Sequence, residues 1–99
     1  MTENKKLTRE IKDKIIAILK KHGARKISIF GSFVREEAGP ESDLDIIVEF
    51  DQPKGLIKFV GIKNELSDIL GMKVDLLTEK AISPYLIDNI KKEALVIYE

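Results

Sequence analysis

GSFVREEAGPESDLD, residues 31–45, lies between two apolar runs: Lys26-Ile27-Ser28-Ile29-Phe30 before it, Ile46-Ile47-Val48 after it. The first run alternates and is rich in branched side chains, which predicts a short strand that stops at Gly31. Ser32 to Ala38 can form a short helix, ended by Gly39-Pro40. Residues 43–50, DLDIIVEF, then read as a second strand with two unequal faces. Leu44, Ile46, Val48 and Phe50 share one face; Asp43, Asp45, Ile47 and Glu49 share the other. A strand that enters a Gly-Ser turn, and a second strand opened by two acids, frame the rest of the chain.

Upstream, TREIKDKIIAILKKH (residues 8–22) places Ile11, Ile15, Ile18 and Leu19 at helical spacing. Thr8 is a suitable N-cap, and Lys20, Lys21 and His22 before Gly23 suit a helix end. His22 is the single histidine, expected as a helix-end residue rather than a metal ligand. Downstream, residues 51–55 form a loop, and Leu56, Phe59, Val60, Ile62, Leu66, Ile69 and Leu70 predict a helix up to Gly71. MKVDLL (residues 72–77) reads as a third strand, and Pro84 opens a last helix, PYLIDNIKKEA, before the closing Leu95-Val96-Ile97-Tyr98. The order α-β-(α)-β-α-β-α predicts an α/β (α+β) fold: a small mixed sheet with helices mainly on one face.

Ninety-nine residues suit one domain, residues 1–99, with one modest core. At 43% hydrophobic and 34% charged, the composition is that of a globular chain rather than a disordered one. No apolar run reaches the roughly 18 residues of a membrane span. The N-terminus lacks the apolar stretch of a secretory signal, and cysteine is absent, so a cytoplasmic protein without disulfides is expected. Net charge is zero but unevenly spread: residues 1–28 carry nine basic against three acidic groups, and residues 29–99 eight against 14. The plainer reading of the basic segment is the solvated face of a helix; the other is a contact for an acidic partner.

Asp43 and Asp45 leave the same strand face about 6–7 Å apart at the backbone. Carboxylates that close repel unless a cation sits between them, and oxygen-only ligation suits Mg²⁺, which takes its remaining ligands from water and phosphates. A third acid is wanted for a two-metal arrangement. Glu49 is on the same face but about 13 Å from Asp45. Asp75 is the better choice, because a charge between Val74 and Leu76 is wasteful without a wet face or a task. Gly31 lets backbone approach a ligand closely, the first N–H groups of the following helix can seat a phosphate, and the Ser32 hydroxyl can donate to it. Arg35, about one turn on, has two readings: over the same phosphates, or merely projecting into water. The P-loop ending Gly-Lys-Ser/Thr is missing.

These residues, GSFVREEAGPESDLDIIV with the later Asp75, resemble the signature of the DNA polymerase β-like nucleotidyltransferases. They are most similar to the minimal nucleotidyltransferases (MNT) of prokaryotic MNT–HEPN toxin–antitoxin pairs, over about Ile27 to Leu77. The resemblance implies that Gly31 and Ser32 bind phosphate, with Arg35 beside them. It also implies that Asp43 and Asp45 bind metal and that Asp75 is the third catalytic and metal-binding carboxylate. It further implies two Mg²⁺ ions, ATP as substrate, and transfer of AMP to a hydroxyl, for the antitoxins a tyrosine of a HEPN ribonuclease partner. Nucleic acid is not expected as a direct substrate. The chain departs from the pattern at Phe33, where many relatives carry a basic residue, and at Glu36, where many carry glycine. Two other readings stay open: a non-catalytic module that neutralises a partner by docking, and nucleotidyl transfer to a small molecule. Tyr85 and Tyr98 are candidate self-modification sites, with buried packing expected for both.

Overall fold

The computed structural model describes residues 6–39 and 41–99. Residues 1–5 of the basic N-terminal segment, and the Pro40 expected to end the short helix, lie outside the described residues.

Three helices, α1 (Arg9–Lys21), α2 (Leu56–Leu70) and α3 (Pro84–Glu93), accompany four strands: β1 (Ala24–Phe30), β2 (Leu44–Phe50), β3 (Val74–Leu77) and β4 (Leu95–Tyr98). The strands form one sheet in the order β3-β2-β1-β4. β1 is antiparallel to both β2 and β4, whereas β2 and β3 run parallel, so the sheet is mixed. The closing apolar residues, read only as the end of the chain, are the edge strand β4. Four apolar residues are too short a run for periodicity to separate strand from helix.

α1 and α2 cover the face made by Ile27, Ile29, Leu44, Ile46, Val48, Val74 and Leu76, each at most 3% exposed. Ile15, Ile18 and Leu19 from α1, and Ile62 and Leu66 from α2, complete that core. Thr8 caps α1 as expected, its hydroxyl accepting the Ile11 N–H at 3.2 Å. Gly71, at φ +66°, ends α2. Lys21 and His22 converge on Glu65 at 2.5 and 2.9 Å and tie the end of α1 to α2. Of the apolar residues that predicted α2, Leu56, Val60 and Ile69 remain 42–78% exposed, because two layers leave one side of that helix uncovered. α3 buries no residue fully. Its Leu86, Asn89, Ile90 and Glu93 line a cleft with Phe30, Gly31 and Arg35.

The expected helix over residues 32–38 does not form. Gly31–Phe33 is a single 3₁₀ turn, and Glu36, at φ +60°, reverses the chain where a right-handed helix would have to continue. Glu37 N–H instead reaches back to the Ser32 carbonyl at 2.9 Å. Phe33, 2% exposed, and Ala38, fully buried, insert into the core and anchor this reversal.

Candidate active site

The register of the sheet brings the aspartates together. Asp45 in β2 lies opposite Phe30 in β1 on one side and opposite Asp75 in β3 on the other. Cross-strand neighbours share a face, so Phe30, Asp45 and Asp75 form a row on the face turned away from α1 and α2. Asp43 stands one residue before β2, half-buried, with Lys73 Nζ 3.9 Å from its Oδ2. Glu49 is engaged elsewhere, paired with Arg25, as its distance along the strand required.

The Gly31 turn closes on this row. Gly31 adopts φ +80°, and a Cβ built on it would collide with Asp45 Oδ2. Glycine is thus needed twice at this position, for its backbone angle and for the space its missing side chain leaves. Because the following helix is one 3₁₀ turn, no helix dipole stands behind the expected phosphate seat. What remains are the leading N–H groups of the turn and the half-buried Ser32. Phe33, the departure from the family pattern, is buried in the core.

Electrostatics mark the row as strained. Burial first, then repulsion from Asp75 and Asp43, push the Asp45 carboxyl up from 3.8 to about 6, while Arg35 pulls in the opposite direction. Three neighbouring carboxylates with oxygen donors only suit a hard divalent cation, which would relieve that repulsion. Among the described residues, no three or more His, Cys, Asp or Glu side chains close into a ready-made metal cage. The register places Asp45 and Asp75 side by side on one face, with Asp43 two residues before Asp45.

The Arg35 side chain is 47% exposed, and its guanidinium is paired with carboxylates rather than free in water. Its guanidinium donates to Glu37 at 3.0 Å and to Glu93 of α3 at 2.5 Å. Glu37 is a local partner, two residues away, whereas Glu93 lies 58 residues from Arg35 and reaches it only through the fold. The cleft beside it, about 270 Å³, borders Gly31 directly. A larger cleft, about 470 Å³, lies at the other end of the sheet among Arg25, Phe50, Lys54, Phe59 and Lys80; Asp43, Asp45 and Asp75 line neither cleft.

The family model for the nucleotidyltransferase domain matches residues 12–97. A Methanocaldococcus jannaschii protein assigned as a protein adenylyltransferase is 51% identical over 86 residues, 87% of this chain and 92% of that one. The protein adenylyltransferase MntA of Thermococcus cleftensis is 35% identical over 75 residues, 76% of each chain. Among solved structures, a complex of a tri-AMPylated Shewanella oneidensis HEPN toxin with an MNT antitoxin contains a chain that superposes with a TM-score of 0.75. That match covers 93% of this chain and 72% of the other at 21% identity, and it speaks for the fold alone. From the register of its aspartates to the full span of these matches, the chain belongs to the nucleotidyltransferase domain family.

Proposed function

We infer that this nucleotidyltransferase transfers AMP from ATP to a hydroxyl of a partner protein in the cytoplasm, that the partner is a HEPN-type toxin modified on tyrosine, and that the chain is its antitoxin. The observation that carries this reading is the Asp45–Asp75 register, which sets two carboxylates on one face with Gly31 packed against the first of them. The likeness to protein adenylyltransferases, one of them MntA, supports a protein acceptor.

Gly31 and Ser32 bind the terminal phosphates, the first by close backbone approach and the second through its hydroxyl. Asp43, Asp45 and Asp75 would hold the Mg²⁺ ions, two by the family resemblance, which would neutralise phosphate charge and acidify the acceptor hydroxyl. Asp75 takes the proton of that hydroxyl as its oxygen attacks the α-phosphorus and pyrophosphate departs. Arg35 exchanges its carboxylate partners for phosphate oxygens, to which its planar fork is equally suited.

The test uses α-labelled ATP and Mg²⁺ in an extract of the source cells, comparing the protein with Asp45→Asn. A labelled protein band that needs Asp45 is the expected result. Label that moves only onto small molecules would replace the protein acceptor with a small one. No transfer at all would leave a docking module.

A further inference from the structure

Tyr85 was expected to be packed inside. It is 92% exposed, the most exposed large side chain among the apolar and aromatic ones. The other tyrosine, Tyr98, is half-buried in β4, with Lys20 Nζ 5.4 Å from its ring centroid. The hydroxyls of Thr8, Ser42, Ser67 and Ser83 each accept a bond from a backbone N–H. Tyr85 makes no side-chain hydrogen bond among the described residues; only its backbone N–H is used, donating to Ser83.

Its place in the fold gives this exposure a meaning. Tyr85 stands in the first turn of α3, next to Leu86, which lines the cleft that borders Gly31. The far end of α3 is tied to Arg35 through Glu93. A phenol, with a pKa of about 10, is also the most readily deprotonated neutral hydroxyl a protein offers as a nucleophile.

Building on the adenylyl-transfer reading above, we propose that Tyr85 is itself an acceptor, adenylylated by the active site of a second copy of this chain. The Tyr85 phenolic oxygen attacks the α-phosphorus of ATP bound to the other copy. The bond from that phosphorus to the bridging oxygen breaks, pyrophosphate leaves, and the phenolic proton passes to Asp75 of the copy that holds the ATP and then to water. The product is a tyrosyl-AMP phosphodiester. Transfer runs between copies because the ring projects into solvent while α3 is held down at Glu93, so the hydroxyl is presented outward.

The experiment mixes two purified variants with α-labelled ATP and Mg²⁺. Asp45→Asn keeps the acceptor and lacks the transferase; Tyr85→Phe keeps the transferase and lacks the acceptor. A purification tag on the first separates them by size. Label on the Asp45→Asn copy, dependent on the Tyr85→Phe copy and mapped to Tyr85 by peptide mass, is the expected result. Each variant alone stays unlabelled, and Tyr98→Phe labels itself like the unmutated protein. Self-label that persists in Tyr85→Phe alone overturns the assignment of Tyr85. If the unmutated protein labels a band in the extract but never the Asp45→Asn copy, self-adenylylation is wrong and the adenylyltransferase reading stands. If no acceptor of any kind is labelled, both fall together.

Discussion

Gly31 sits directly beneath the Asp45 carboxylate, in a backbone conformation that only glycine adopts without strain. The turn proposed to seat phosphate and the acid proposed to hold metal are therefore one packed unit. An added Cβ has to displace Asp45 Oδ2, and the backbone has to hold φ +80° with a side chain attached. Gly31→Ala is expected to cost about 1–2 kcal/mol of stability. Transfer should fall far more, about 100-fold, because a catalytic group shifted by an ångström loses its alignment. Thermal melting and transfer rates on the same preparation check this. Full activity in a folded Gly31→Ala protein would show that the close contact has no part in the chemistry.

Asp45 gives a pH-dependent stability with a defined sign. Its folded-state pKa is raised to about 6 from 3.8, so the folded protein holds this proton more tightly than the unfolded chain. Ionising Asp45 therefore destabilises the fold, fully above about pH 6 and not at all below about pH 4. Asp45→Asn should stabilise the metal-free protein at about pH 8 by roughly 1 kcal/mol, since solvent screens part of the repulsion around this half-buried group. The gain should vanish at about pH 3.5, and Mg²⁺ should narrow it at high pH by stabilising the unmutated protein alone. Melting curves with a chelator at both pH values decide the matter. An equal gain at both would assign it to packing rather than charge.

The Arg35–Glu93 pair predicts a competition. A triphosphate that recruits Arg35 has to take it from Glu93 and Glu37, both of which already hold it. In Glu93→Gln one of those competitors loses its charge, and a non-hydrolysable triphosphate should bind about two- to fivefold more tightly, as expected for an exposed pair. The advantage should shrink at high ionic strength. Arg35→Ala should remove it altogether. Affinities that are identical for Glu93→Gln and the unmutated protein would mean that Arg35 stays with α3 when nucleotide binds.

The strands and long helices were legible because their periodicity is local: Ile15, Ile18 and Leu19 on α1, and Leu44, Ile46 and Val48 on β2, follow the spacing of their elements. The Asp45–Asp75 pairing was legible in part, since alternation gives the face of each residue but not the register between strands 30 residues apart. Nothing local announced that Glu36 would turn left-handed and end the helix after Phe33, nor that Glu93 would return to Arg35. Both depend on chain reversals set by tertiary packing. Tyr85 was misjudged because an aromatic residue on an amphipathic helix is usually inside, and α3 buries no residue fully against this chain.

Asp75 separates binding from chemistry. It pairs in register with Asp45 on an edge strand, and the proposed mechanism gives it the acceptor proton rather than the terminal phosphates. Asp75→Asn should therefore lower the transfer rate about 100- to 10,000-fold, the range for loss of a positioned proton acceptor. Affinity for a non-hydrolysable triphosphate without Mg²⁺ should improve slightly, because one negative charge has left the site. The same change removes the larger of the two repulsions that raise Asp45, so the Asp45 pKa should fall back toward its ordinary value. The stabilising effects of Asp75→Asn and Asp45→Asn should then be less than additive in the double variant, as expected for groups in contact. Transfer rates, nucleotide titrations and a double-mutant melting cycle together test the assignment. A rate loss matched by an equal loss of triphosphate affinity would place Asp75 among the nucleotide-binding groups, and strict additivity would separate it from Asp45.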